Sequence, residues 1–202
     1  MHARSQFAHF DTYEKIEFNR FIYSLNSLLH NTLDKHKQEA ITVKSICLVD
    51  SQFHARFSCK QKTYAYHIWP QRTRNVFLDG QYWHAPRIRD TARFVAKANE
   101  CGQYLLGTYD FSSFQDADCQ AKSAIRTVDQ CVFENASNMI IMKITARSFL
   151  QHQIRITVGT IYDIIARDER TDKMKEILDS CNRACAGRTA PASGLFLDQV
   201  VY

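Results

Sequence analysis

The chain has 202 residues, of which 45% are hydrophobic and 12% aromatic, and its formal net charge is +5. That is enough apolar material for a buried core, in one domain or two small ones. No apolar run approaches the roughly 18 residues of a membrane span, and no apolar targeting segment stands near the N-terminus, so we expect a cytoplasmic protein with no membrane partner. The seven scattered cysteines do not form a disulfide framework.

The positive charge is concentrated in residues 54–93. This segment holds eight arginines and lysines against two aspartates, a local charge of +6, so the rest of the chain carries −1. Seven aromatic residues are interleaved with these cations: Phe57, Tyr64, Tyr66, Trp69, Phe77, Tyr82 and Trp83. Cations neutralise RNA phosphates, and flat side chains stack on splayed bases. Composition leaves two interpretations open: an RNA-binding surface, or a solvated basic face over an aromatic core.

The first predicted elements are a strand and a helix. Residues 6–10 are strand-like and come almost at the start of the sequence. Asp11 and Glu14 have the spacing of a helix N-cap and its capping-box partner. Apolar residues within 18–29 then recur at helical spacing, which predicts an amphipathic helix.

The remaining elements alternate between strands and helices. We predict strands at 41–49, 63–69 and 194–202, an extended connector at 53–60, and helices within 87–106, 150–165 and 172–186. Asp90 is the predicted cap of the first of these helices. A hairpin is predicted from 123–134 and 139–148, joined by a turn at 135–138. Because the hairpin requires antiparallel pairing, the fold class is α+β, with helices covering a sheet.

The sequence carries none of the common cofactor-binding motifs. The sequence contains no GxxxxGK[ST], GxGxxG, HExxH or zinc-ligand spacing, which argues against a nucleotide-driven or metal-dependent enzyme. The isolated candidates are Tyr64, in the basic segment, and His152 with Arg155, which lie three residues apart on one helix face. Taken singly, each of the three is more typical of a structural role.

Five stretches, in order, resemble successive motifs of the tRNA pseudouridine synthase A family. They are FHARFSCKQKTYAYHI (53–68), GTYDFSSFQ (107–115), CQAKSAIRTV (119–128), FLQHQIRITVGTI (149–161) and APASGLFLDQVVY (190–202). Each motif alone is moderately specific, whereas five in the right order are not expected by coincidence. The resemblance implies a synthase that converts uridine to pseudouridine at positions 38 to 40 of the tRNA anticodon arm, without a metal or cofactor.

The resemblance also assigns roles to residues. It implies that Tyr64 is the platform beneath the uracil and that Arg155 pairs with the catalytic carboxylate. The residues expected to bind the anticodon arm are Arg56, Lys60, Lys62, Arg72, Arg74 and His152.

The catalytic aspartate itself is not among these residues. In the family, a stretch like HARSQFAHFD follows a Gly-Arg-Thr-Asp-Ala-Gly-Val loop, and the aspartate of that loop is the nucleophile or base. Our expectation is that this loop precedes Met1, that the chain alone is inactive, and that Arg155 is available to a phosphate or another anion. Residues 187–190, Gly-Arg-Thr-Ala, echo the loop faintly but have alanine in place of aspartate.

The family's fold implies two related RRM-like halves whose sheets join into one extended sheet flanked by helices. Residues 1–55 would be the remnant of the incomplete first half, and 56–202 the second half. A homodimer is expected. A non-catalytic RNA-binding module is the alternative function, and a structural α+β protein with a solvated basic face is the third.

Overall fold

The computed structural model describes residues 2–33 and 41–202. It divides into two compact units: Cys59–Tyr202 together with the residues up to Phe7, and Ala8–Ser58. None of the helices in these described ranges is both long and apolar enough to cross a membrane.

The larger unit is built on one seven-stranded sheet. Its strands are β1 (His2–Ala3), β2 (Gln61–Trp69), β3 (Trp83–His84), β4 (Gly107–Asp110), β5 (Ile125–Ala136), β6 (Met139–Ala146) and β7 (Leu195–Val201). The order across the sheet is β1-β7-β2-β6-β5-β4, and β3 pairs with the far end of β2. The β1–β7 and β2–β3 pairs are parallel and the others antiparallel. β2 is therefore central.

Three helices belong to this unit: α2 (Thr91–Gln103), α3 (Gln153–Ala166) and α4 (Lys173–Asp179). Ile140, Met142 and Ile144 alternate along β6 and are at most 1% exposed, as a strand with one buried face requires. They share one core with apolar residues of all three helices. Mixed helices and strands around an antiparallel hairpin confirm the predicted α+β class.

Several predicted elements are confirmed. The strand at 63–69 is the larger part of β2, and the side chain of Asp90 caps α2 by accepting a hydrogen bond from the Arg93 N–H at 2.9 Å. The hairpin is β5–β6, and its turn places Ser137 and Asn138 at φ 47° and 69°, as a tight two-residue hairpin turn needs.

The helix predicted within 18–29 is confirmed, whereas the strand and the helix cap predicted before it are wrong. The strand lies at His2–Ala3, where β7 offers a partner, and not at 6–10. Helix α1 (Phe18–Leu33) begins after Glu17, whose carboxylate accepts hydrogen bonds from the N–H groups of Asn19 and Arg20 at 3.2 and 2.6 Å, so Asp11 is not its cap.

The predicted strand at 41–49 is also absent from the structure of those residues. Its backbone groups are satisfied in another way at Val43, whose N–H and C=O both bond the side-chain amide of Asn26, at 2.7 and 3.0 Å. Near the C-terminus, α4 ends earlier than predicted, because Cys181 adopts a left-handed φ of 47°. Strand β4 was not predicted.

Candidate active site

Tyr64 lies near the start of β2, half-buried against the core. Its ring meets the Phe149 ring edge-on, with the centroids 5.3 Å apart. Burial raises the pKa of the Tyr64 hydroxyl, and the nearby Cys59 adds to this rise. The phenol is therefore neutral at physiological pH, and its ring is a fixed flat surface.

A β-bulge in strand β7 lies opposite Tyr64. Thr63 pairs with Gln199 of β7, whereas Tyr64 pairs with Leu197, so Asp198 is the extra residue. Such bulges bend a strand and re-aim side chains, and they are frequent beside active sites.

Arg155 lies in the first turn of α3 and is half-buried. Its Nε donates to the carbonyl oxygen of Ala190 at 2.6 Å, and the Ala190 N–H donates to the Arg155 carbonyl at 3.1 Å. The Tyr66 hydroxyl donates to the carbonyl oxygen of Pro191 at 2.7 Å, so Tyr66 reaches the residue next to the Ala190 that holds Arg155. Since Tyr66 and Tyr64 point to the same face of β2, the fold brings Tyr64 and Arg155 to one face of the sheet.

The guanidinium of Arg155 retains bonding capacity. Within residues 2–33 and 41–202, no carboxylate forms an ion pair with Arg155, and its hydrogen bonds use Nε but not the two terminal nitrogens. A carboxylate or a phosphate is the natural ligand of such a fork of N–H donors.

Residues 187–190, Gly-Arg-Thr-Ala, are anchored to helix α3, and this anchoring fixes the position of the Ala190 carbonyl. Arg188 donates from Nε and Nη2 to the Asp163 carboxylate at 2.8 and 2.7 Å, and the Arg188 N–H bonds the same group at 3.1 Å. The Arg188 carbonyl oxygen approaches α3 so closely that a β-carbon on Gly159 would lie 1.8 Å from it. These residues, 187–190, are called the Ala190 segment, and through the Ala190 carbonyl they position Arg155.

His152 precedes α3 in a left-handed conformation with φ 58°. Its Nδ1 lies 2.6 Å from Oδ2 of Asp116, and this hydrogen bond is the main cause that lowers the pKa of Asp116. The sequence pointed to His152 but not to its pairing with Asp116, which lies 36 positions earlier. The pair orients the imidazole three residues before Arg155.

The predicted RNA-binding cations lie at different places along the chain. Lys60 and Lys62 flank the start of β2, whereas the exposed Arg72 and Arg74 follow its end. Arg56 belongs to the smaller unit, where it is exposed, with its guanidinium carbon 5.6 Å from the centroid of the Phe57 ring.

The interleaved aromatics divide between the core and the surface. Tyr66 and Tyr82 are 0% and 5% exposed, whereas Phe57 and Phe77 are 68% and 92% exposed. Some rings of the basic segment therefore build the core, and Phe57 and Phe77 remain exposed.

A cavity of about 360 Å³ opens beside the segment that anchors Arg155. Its walls include Arg74, Tyr82, Trp83, Pro191 and Ser193. The Tyr66 hydroxyl donates to the Pro191 carbonyl at 2.7 Å, which fixes one wall to β2. In the described part of the chain, no cluster of three or more His, Cys, Asp or Glu residues could hold a metal ion.

Comparison with known proteins defines the class. The model of a family described as tRNA pseudouridine synthase matches residues 102–202, a range that holds α3 with Arg155, the Ala190 segment and β7. The matched half of the chain therefore belongs to a class of RNA-modifying enzymes that isomerise uridine.

Curated relatives cover the chain from end to end. A tRNA pseudouridine synthase A of Anaplasma phagocytophilum is 37% identical over 203 residues, which span all of this chain and 78% of the relative. The proteins of that name from Bacillus licheniformis and Wolbachia pipientis are 35% and 36% identical, again over the whole chain and over 77% and 78% of their own lengths. The chain belongs to the tRNA pseudouridine synthase family.

Proposed function

We propose that this chain binds the anticodon arm of tRNA in the cytoplasm and takes part in isomerising uridine to pseudouridine at positions 38 to 40. The observation that carries the proposal is the placement of Tyr64 and Arg155 on one face of the sheet, with Arg155 tethered to Ala190 and its terminal nitrogens available.

Tyr64 receives the uracil in this proposal. The reaction breaks the bond between C1′ and N1, rotates the base and joins C1′ to C5, after which the C5 proton is released and N1 gains a proton. The base must first leave its stack, which costs a few kcal/mol, and one aromatic platform returns about 1–3 kcal/mol. Phe149 holds the Tyr64 ring edge-on. A tyrosine phenol is neutral at physiological pH and the pKa of Tyr64 is raised further by burial, so the ring stacks without adding negative charge.

Arg155 aims and keeps ionised the carboxylate that does the chemistry, because an opposite charge within about 4–6 Å stabilises the charged form. The sequence contains no Gly-Arg-Thr-Asp, and its nearest counterpart, 187–190, is committed to positioning Ala190. We therefore propose that the carboxylate comes from a segment carrying that motif, and that the chain alone binds tRNA without converting it.

The cations hold the RNA backbone. Phosphate contacts from Lys60 and Lys62 at one end of β2, and from Arg72 and Arg74 at the other, would run the RNA along the strand and position it without reading its sequence. Arg56 and His152 are the remaining proposed contacts. The two RRM-like halves, with their boundary near residue 55, and a homodimer remain part of this proposal.

The experiment measures tritium release from tRNA labelled at uridine C5. It compares this chain, a longer chain that carries Gly-Arg-Thr-Asp before His2, and the longer chain with that aspartate changed to asparagine. We expect release from the longer chain only. Tritium release by the present chain, without the added segment, would overturn the assignment of the carboxylate. The first groups to test would then be Asp110 and Asp116.

A non-catalytic RNA-binding module is the second candidate, favoured by the absence of a carboxylate partner for Arg155 in the described ranges. It predicts salt-dependent tRNA binding by every version and tritium release by none.

A further inference from the structure

The loop between β2 and β3 presents an aromatic side chain to solvent. Phe77 is 92% exposed and its neighbour Val76 is 76% exposed. Phe77 is the most exposed of the seven aromatics in the basic segment. Among the residues that the structure describes, no ring or cation packs against it. Single exposed apolar residues are common, so the surroundings decide what this one means.

The backbone that carries Phe77 is fixed by side chains. The Tyr82 hydroxyl accepts a hydrogen bond from the Asn75 N–H at 2.9 Å and donates to the Asn75 carbonyl at 3.0 Å. The Asn75 side chain caps the 3₁₀ turn Val76–Leu78 by accepting from the Phe77 N–H at 3.1 Å. The turn is therefore held to the core-facing ring of Tyr82.

The beginning of the loop is fixed in the same way. Trp69 Nε1 donates to the Thr73 carbonyl at 2.8 Å, and His84 Nε2 lies 2.9 Å from the Gln71 carbonyl. Anchors from both flanking strands hold the loop before any partner binds, which lowers the entropic cost of binding.

The charges on the loop favour a nucleic acid. Arg72 and Arg74 are exposed, and neither forms an ion pair with the described residues. Asp79 is the one acid within residues 70–80. Cations that track a phosphate backbone, beside a rigid ring on which a base can stack, are the two components of single-strand recognition.

We propose that Phe77 is a second stacking platform, which takes an unpaired tRNA base other than the target uridine, while Arg72 and Arg74 hold the adjoining phosphates. The inference rests on the proposed function and adds to it a surface that recognises single-stranded RNA. Since Arg74 and Asp79 line the cavity and flank Phe77 in sequence, the stacked base would lie at that side of the site.

The test measures the affinity of the chain for a tRNA anticodon stem-loop and for a fully paired RNA duplex, over a range of salt concentrations. Phe77→Ala is expected to weaken stem-loop binding about tenfold, to leave duplex binding unchanged, and to keep the salt dependence of the wild type. Arg72→Ala with Arg74→Ala should instead reduce the slope of log affinity against log salt, by about 0.7 per lost contact. Phe77→Trp should restore affinity, and its indole emission should fall on binding, above the background of Trp69 and Trp83.

The matched control is Tyr23→Ala, which removes a ring that is 78% exposed and has no lysine or arginine within two positions. If the wild type binds the stem-loop and Phe77→Ala binds equally well, this inference fails and the proposed function stands. If the wild type binds no RNA, both fail. If Phe77→Ala changes the oligomeric state in light scattering but not the RNA affinity, the partner is a second copy and the inference is overturned.

Discussion

The two units of this chain show that a helix with a regular apolar pattern can be well buried or poorly buried, depending on what it packs against. In Cys59–Tyr202 a continuous core joins the sheet to three helices, and 11 of the 14 residues of α3 are buried. Within 8–32 and 41–58 no residue is fully buried, although α1 has a regular apolar stripe. Periodicity predicts that a helix forms, whereas stability comes from the surface against which that helix packs.

The largest expected effect is a loss of stability where Gly159 of α3 meets the backbone of Arg188. Gly159→Ala would place a β-carbon 1.8 Å from the Arg188 carbonyl oxygen, so the Ala190 segment must move. We expect a loss of about 3 kcal/mol or more in the free energy of unfolding, together with weaker tRNA binding, because Arg155 loses its anchor. Urea denaturation measures the first.

Gly80→Ala is the control for that substitution. Gly80 has φ 79° but no atom near its missing β-carbon, so we expect only backbone strain, about 1 kcal/mol. Equal effects of the two substitutions would show that the contact of Gly159 with Arg188 does not determine the stability of the site.

A matched pair of leucines compares the two units directly. Leu178 of α4 is 2% exposed, and its replacement by alanine should cost about 2–5 kcal/mol. Leu25 of α1 is half-buried, and its replacement should cost less than about 1.5 kcal/mol. Hydrogen exchange should show weak protection of the α1 amides and strong protection of the α3 amides in the wild type. Comparable protection would mean that Ala8–Ser58 has a core of its own.

The smallest expected effect is a pH dependence of the free energy of unfolding, which comes from His67 in the larger unit. His67 is 6% exposed, and burial lowers its pKa, with the charge of Arg4 adding to this. Below about pH 6.5 the unfolded chain binds a proton that the folded His67 does not. Stability should therefore fall as the pH falls, by at most about 1.4 kcal/mol per pH unit, and His67→Gln should remove this component. A wild type that gains stability on acidification through this range would contradict the assignment.

The elements that were predicted correctly from the sequence have local signals, and the strands that were predicted wrongly do not have the distant partners they would need. Helix α2 and the β5–β6 hairpin were predicted because their signals are local: the Asp90 cap lies three residues from its donor, and the turn lies between two alternating runs. The predicted strands at 6–10 and 41–49 failed because a strand needs hydrogen-bonding partners from elsewhere. At Val43 the Asn26 side chain provides them instead.

The sequence identified residues of the candidate site but not how the fold brings them together. Tyr64 and Arg155 could be chosen from their motifs, but their placement on one face depends on the pairing of β2 and on the packing of α3. The Ala190 carbonyl, 35 positions from Arg155, and the Asp116 carboxylate, 36 positions from His152, are tertiary contacts with no local signal. Phe149 lies within a quoted motif, and its aromatic character beside His152 and Arg155 was the available indication.

The most direct test of the account is a double-mutant cycle on binding. It measures the affinity of wild-type chain and Tyr64→Ala for an anticodon arm with either uridine or an abasic nucleotide at position 39. If Tyr64 stacks on the extruded uracil, removing both partners should cost less than the sum of the single losses, with a coupling of about 1–3 kcal/mol. A coupling of zero, with the wild type binding both RNAs equally, would contradict the assignment of this face of the sheet as the uridine site.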